Sequence, residues 1–183
     1  MTSAKTLLKY ANVQMAAEAL LDRIPEVDFA TALKDGNTRS SRFTAVQAAE
    51  FVQIWQVVEH QSNTTTGFSG TLFQVRQDAP TGLLTQYGLT QAEQVLSFRS
   101  TEFADDAARD NQATNVLEIK EYGWAFGQIS DMKVWYEQLV TTNKIPAGAP
   151  ITVTGYSLGG HPPERHLHRR GRRRCTYLQR HPG

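Results

Sequence analysis

The apolar positions of this chain change period several times, and each change predicts an element. Residues 1–23 read as a helix, with Leu7, Leu8, Val13, Met15, Ala16, Leu20 and Leu21 along it. Asp35-Gly36-Asn37 marks a turn. A second helix is expected from Thr44, where Thr44-x-x-Gln47 has the form of a capping box, and Val46, Phe51, Ile54, Trp55 and Val58 continue it as a mostly helical apolar face. The threonine-rich stretch 62–66 predicts a loop. Phe68, Leu72, Phe73 and Val75 predict a strand over 68–75, and Asp78-Ala79-Pro80-Thr81-Gly82 a turn that would make it part of a hairpin. Val95-Leu96-Ser97-Phe98-Arg99 suits a short buried strand.

The polar residues 101–115 predict a loop or short helix. Phe126, Ile129, Met132, Tyr136 and Leu139, spaced three, three, four and three apart with Trp135 beside them, give the clearest helix, over 126–140. After a loop at 144–150, Ile151-Thr152-Val153-Thr154 is a β-branched strand. Strand 95–99, helix 126–140 and strand 151–154 in that order make a βαβ unit, which implies parallel strands and a right-handed crossover. The expected class is therefore α/β, with a mostly parallel sheet flanked by helices.

Composition sets the outer limits. The 183 residues suffice for one domain with a real core, and 40% hydrophobic with 20% charged residues is ordinary for a globular chain. The single cysteine, Cys175, excludes an intrachain disulfide. Lys5, Lys9, Asn12, Gln14 and Glu18 interrupt the N-terminal apolar positions, so no signal peptide is expected there, nor a transmembrane segment anywhere. A cytoplasmic location or export without a cleaved signal follows from that reading.

The net charge of +1 hides an asymmetry: residues 1–161 carry 12 Lys and Arg against 17 Asp and Glu, whereas 162–183 carry seven Arg, no Lys and one Glu. Such a tail can contact nucleic acid or an anionic membrane, which would make the chain a non-catalytic binding protein. The tail lacks interleaved aromatics apart from Tyr177, so nucleic acid is not the expected partner.

The chemistry-bearing motif lies directly after the last strand. Gly155-Tyr156-Ser157-Leu158-Gly159 matches G-x-S-x-G, the nucleophile elbow. An elbow needs a strand that ends, a sharp turn with a strained serine at its tip, and a helix that begins; Gly155 and Gly159 remove side chains that would collide with the neighbouring strand and helix. The serine Oγ then sits at a helix N-terminus, where free N–H groups favour an oxyanion. The plainer reading, a glycine-rich turn after a core strand, suits the bare pentapeptide; the preceding strand and the βαβ order favour the elbow.

From Thr154 to His161 the sequence resembles the elbow of the class 3 (fungal-type) lipases of the α/β-hydrolase superfamily, a family with bacterial members. Leu96-Ser97-Phe98-Arg99-Ser100-Thr101-Glu102 is similar to that family's strand ending in Phe-Arg-Gly-Thr/Ser, and Gly123-Trp124-Ala125-Phe126 resembles the segment opening the helix that leads to the elbow. The likeness covers roughly residues 68–161. It implies an α/β-hydrolase fold and hydrolysis of a lipid or small ester, with transient contact at a lipid interface and no metal or organic cofactor. Ser157 would be the nucleophile, and the backbone N–H groups of Leu158 and Thr101 the oxyanion donors. Ser100 departs from the pattern, standing where the family has glycine. Phe98 is expected in the core and Arg99 buried or at its rim. The elbow alone leaves an acyltransferase or peptidase open; the likeness around Phe98 to Thr101 favours esters.

A triad also needs a base and an acid, which in α/β-hydrolases follow the serine. After Ser157 the chain holds one acid, Glu164, and His161, His166, His168 and His181. His161 falls four residues past the nucleophile on the elbow helix, and the others come too soon to follow further strands. Asp105, Asp106, Asp110 and Asp131 precede the serine. No residue is therefore assigned as base or acid, and this chain is expected to be inactive or nearly so. Pro162 and Pro163 interrupt the elbow helix, and the arginine-rich run after them has no apolar period. The expected organisation is a lipase-like domain over 1–161, incomplete after the elbow, and a tail over 162–183 that is disordered or read in a shifted frame.

Overall fold

The computed structural model describes residues 4–19, 21–24, 26–36, 42–99 and 126–155. Helix α1 (Ala4–Ala17) is followed by a 3-10 turn (Leu21–Arg23), α2 (Phe29–Asp35), α3 (Ala45–Ile54), β1 (Trp55–Gln61), β2 (Gly70–Val75), α4 (Thr81–Tyr87), β3 (Gln94–Phe98), α5 (Phe126–Thr141) and β4 (Thr152–Gly155). The four strands form one sheet in the order β1-β2-β3-β4. Strand 95–99, helix 126–140 and strand 151–154 are thus present within a residue or so of their expected bounds, and β3 pairs β4 in parallel.

The sheet is not mostly parallel, which corrects the expectation. Both β1–β2 and β2–β3 run antiparallel, leaving β3–β4 as the single parallel pair among the described residues. Chain length accounts for the first antiparallel pair and permits the parallel one, whereas the 18 residues between β2 and β3 admit either direction. Eight residues join β1 to β2, enough for a return but too few for a crossover, whereas 53 residues separate β3 from β4. The turn at 78–82 is likewise not a hairpin turn. It leads into α4, which ends where Gly88 adopts the left-handed conformation (φ 62°) and its N–H reaches back to the Leu84 and Thr85 carbonyls.

The second helix begins as expected. Thr44 caps the Gln47 N–H and the Gln47 side chain accepts from the Thr44 N–H. It stops at Ile54, however, and the backbone becomes extended at Trp55 without a loop. Trp55 and Val58 are therefore strand residues, and Val46, expected on the buried face, is 75% exposed. The helical period of 46–58 was formed by two elements joined end to end, with β-branched Val57 and Val58 marking the second. Helix α1 also ends earlier than residue 23, and Leu7 and Leu8 lie on its exposed side while Tyr10, Val13, Ala16 and Ala17 are buried.

Side chains of β2, β3 and β4 alternate across the two faces. On one face Leu72, Leu96, Phe98 and Val153 pack under α5, against Met132, Trp135 and Leu139. Phe68, Phe98 and Trp135 form an aromatic trio with centroids 5.7–6.5 Å apart. On the other face Phe73, Val75 and Val95 meet α1, α2 and α3 in a larger core that includes Phe43, Phe51 and Leu33. Each face thus buries its apolar residues under helices, as an α/β layer arrangement requires.

One row of the α1 face is polar throughout. His60 stands opposite Thr71, Thr71 opposite Ser97, and Ser97 opposite Thr154. His60 reaches this face because the register slips between Val57 and Glu59. The extra residue of that bulge inverts the alternation, so Val57 and His60, three apart, share a face.

Candidate functional site

Of the sequence-predicted site residues, the structure describes Gly155. Thr101, Ser157, Leu158 and Gly159 lie outside the described residues, as do 101–115, 162–183 and the segment opening at Gly123. The geometry that delivers the chain to them is described, and it is informative.

Gly155 ends β4 and pairs with Phe98, the end of β3. Because the two strands are parallel and adjacent, the chain leaves both from the same end of the sheet, about 4.8 Å apart. Two residues beyond Gly155 comes Ser157, and three beyond Phe98 comes Thr101. Phe98 is buried, as expected, and Arg99 is buried too, at 4% exposure.

Both exits are fastened to α1. Thr154 Oγ1 donates to Ser97 Oγ (2.8 Å), and Ser97 Oγ donates to Gln14 Oε1 (2.9 Å). The other end of the Gln14 amide donates to Glu18 Oε1 (3.0 Å) and to the Phe98 carbonyl (2.9 Å). This chemistry admits one orientation of the amide, since turning it over would set its oxygen against a carboxylate and a carbonyl. The Arg99 N–H, in the same peptide unit as the Phe98 carbonyl, donates to the Ser69 carbonyl (3.1 Å). The peptide that leads toward Thr101 is held from both sides.

A second polar group, unforeseen in the sequence, joins Asp22 and His60. His60 Nε2 lies 2.9 Å from Asp22 Oδ1 and His60 Nδ1 lies 2.8 Å from Thr71 Oγ1, while Ser62 donates to the same Asp22 oxygen. Burial pushes the His60 imidazole below its ordinary pKa, against the upward pull of Asp22. Burial acts to raise Asp22, but the Ser62 and His60 hydrogen bonds, with the charges of His60 and Arg99, outweigh it and hold the carboxyl low. In the neutral form of the ring, Nε2 carries the proton toward Asp22 and Nδ1 accepts from the Thr71 hydroxyl.

Asp22 and His60 sit 38 residues apart, and no local spacing announces such a pair. They are not poised as base and acid for the strand that precedes Ser157. His60 on β1 is three strand spacings, roughly 14 Å, from Thr154 on β4, whereas a base works at hydrogen-bond reach.

A cavity of about 780 Å³ lies at the opposite end of the sheet, where β3 and β4 begin, and is lined by Lys9, Tyr10, Glu93, Gln94 and Thr152 among others. Its polar groups satisfy one another: Lys9 Nζ is 2.8 Å from Glu93 Oε1, and Tyr10 Oη bonds Glu93 (3.2 Å) and Thr152 (3.3 Å). Ligands of open α/β sheets bind beyond the carboxyl ends of the strands, the end at which Phe98 and Gly155 stand. Among the described residues no group of three or more His, Cys, Asp or Glu could hold a metal, and no helix is long and apolar enough to cross a membrane.

No protein-family model, curated protein or solved structure matches this chain.

Proposed function

We propose that this chain carries the nucleophile half of a serine ester hydrolase of the α/β-hydrolase type, similar to the class 3 lipases, with a lipid or small ester as substrate. The observation that supports this most is the side-by-side exit of β3 and β4 at Phe98 and Gly155. In sequence, one strand leads to Thr101, which the likeness to the class 3 lipases makes an oxyanion donor, and the other to the serine of a G-x-S-x-G motif. Ester cleavage needs that pairing, because the nucleophile and the groups that receive the developing negative charge must stand on two sides of one carbonyl.

In the proposed reaction Ser157 Oγ attacks the acyl carbon and gives up its proton. The carbonyl oxygen becomes an oxyanion held by the N–H groups of Leu158 and Thr101. Collapse of the tetrahedral intermediate expels the alcohol and leaves an acyl-serine, which water hydrolyses to free acid and serine. The reading assigns no residue to take the serine proton, so it predicts a site able to form a tetrahedral adduct but slow to turn over.

Phenylboronic acid tests this without a general base. The serine oxygen bonds to boron, its proton passes to water, and boron becomes four-coordinate and anionic, with an oxygen where the oxyanion would be. The expected result is a boron resonance moving to the tetrahedral range on binding, and absent in Ser157→Ala. The same resonance in both proteins, or in neither, overturns the reading.

A further inference from the structure

We propose that the cavity at the starting ends of β3 and β4 binds a small uncharged polyhydroxylated ligand of the saccharide class, a function separate from the hydrolase reading. The cavity is bounded by Lys9 and Tyr10 of α1, by the turn that precedes β3 and by the loop that joins α5 to β4. Its volume of about 780 Å³ falls within the roughly 300–1,000 Å³ usual for small-molecule sites.

Charge selects the ligand first. Lys9 is buried and its ammonium is engaged on three sides: Nζ donates to Glu93 Oε1 (2.8 Å) and to the Gly88 carbonyl (3.2 Å), and it lies 4.7 Å from the centroid of the Tyr10 ring. An anionic ligand would find the one cation among the described lining residues already taken, and would meet the Glu93 carboxylate beside it. A cationic ligand drawn to Glu93 would meet Lys9. Tyr10 is buried as well, so an aromatic ligand has no open ring to stack on.

The hydrogen-bonding groups that remain are mostly acceptors. Glu93 Oε2 receives only the Thr90 N–H, at 3.3 Å, among the described residues. Gln94 is anchored by its Nε2, which donates to the Lys144 carbonyl (2.8 Å), and its Oε1 has no partner among the described residues. Gln74 stands opposite Gln94 in the β2–β3 register, and its half-buried amide makes no side-chain hydrogen bond among the described residues. A carboxylate and two amides suit a ligand rich in O–H donors. Ala149, Pro150 and Ile151 add apolar surface to the same cavity. A pyranose matches both, with hydroxyls around its rim and a face of C–H groups. The turn that presents Glu93 is strained, since Ala92 holds a left-handed φ of 63°, and such strain collects at ligand sites.

The test titrates methyl β-D-glucopyranoside into the full chain and follows backbone amide shifts by NMR. Binding is expected with a dissociation constant on the order of 1 mM, with shifts at Gln94 and Ile151 and none at Phe98 or Gly155, at the far end of the strands. The 6-carboxylate and 6-ammonium analogues of the glucoside are expected to bind about tenfold more weakly. Gln74→Leu, which keeps the bulk of the side chain and loses its amide, is expected to weaken binding about tenfold. Ala149→Trp, which fills the cavity from the α5–β4 loop, is expected to abolish it.

Absence of binding in the wild type overturns the proposal. So does wild-type affinity in either variant, which puts the sugar elsewhere, or a response at Phe98 and Gly155 in place of Gln94 and Ile151. Equal affinity for the charged analogues overturns the uncharged class. If Gln74→Leu does not fold, Ala149→Trp decides alone. None of these outcomes involves Ser157, so the proposal and the hydrolase reading stand or fall separately.

Discussion

Thr154 and Ser97 face each other across the one parallel strand pair among the described residues, and their hydroxyls are bonded at 2.8 Å with Thr154 as donor. Both are fully buried, so neither hydroxyl has water as an alternative. Thr154→Val is expected to lower stability by about 1 kcal/mol, the net worth of one internal hydrogen bond. Ser97→Ala is expected to cost about 1–3 kcal/mol, because it also leaves Gln14 Oε1 without its donor. Urea unfolding of the two single variants and the double variant measures their coupling, expected at ~0.5–1.5 kcal/mol. Strict additivity would show that the hydroxyls do not bond.

Stability should fall on acidification through the His60–Asp22 pair. The folded pKa of His60 lies below its ordinary 6.5, so the unfolded chain takes up the proton first as pH drops. Folding is unpenalised above about 6.5 and loses stability below it, down to the folded pKa. Asp22 has the same sense at lower pH: held below its ordinary 3.8, it contributes stability that is lost as pH falls through its folded value. The groups facing His60 are Asp22, Arg99 and Glu59. Thermal midpoints between pH 8 and 5 should decline in the wild type and flatten in His60→Gln. A midpoint that rises toward pH 5 would contradict the neutral ring.

Gly70 has no room for a methyl group. A Cβ there would lie 2.7 Å from Trp135 Cζ3 and 3.2 Å from Phe98 Cδ1. Gly70→Ala is expected to cost about 1–3 kcal/mol by overpacking, visible as a lower urea midpoint and a changed Trp135 fluorescence. An unchanged midpoint would mean that α5 sits farther from β2.

Thr44→Ala removes half of the capping box and should cost about 1 kcal/mol. Gln47→Ala, which takes away the reciprocal partner, should cost less, since the Thr44 side chain still caps the Gln47 N–H. Equal losses in circular dichroism melts would argue against the cap.

Hydrolysis of p-nitrophenyl butyrate is expected to stay near the uncatalysed rate in this chain and in Ser157→Ala alike. A robust rate that vanishes in Ser157→Ala would show that a base for Ser157 is present after all.

Much of this was legible residue by residue, and the failures have physical causes. The parallel pair could be read because β-branched 151–154 and apolar 95–99 enclose a helix with a strong period at 126–140. The box at Thr44 was legible because its chemistry is local. The break at Trp55 was not, since Phe51, Ile54, Trp55 and Val58 satisfy a helical period even though two elements share them. The antiparallel half of the sheet was hidden because β1 lies within an apparent helical period and because the 18-residue β2–β3 linker admits either direction. For the site, the motifs point to Ser157 and Thr101, which lie outside the described residues. The Asp22–His60 pair and the hydrogen bonds of Gln14 to β3 join residues 38 to 84 positions apart, brought together by folding alone.

The attachment of α1 to β4 has a consequence for the order of events as the chain is made. Tyr10 meets Thr152 across 142 positions, and Gln14 reaches Thr154 only through Ser97. Vectorial synthesis delivers the helix first and its last docking partner well over a hundred residues later. Until then Tyr10 and Gln14 can rest on Glu93, Ser97 and Phe98 but not on β4, and that corner closes late, through contacts of high sequence separation that are slow to form. An emerging chain stalled before residue 150 would therefore hold α1 against β3 with the β4 side of that corner still open.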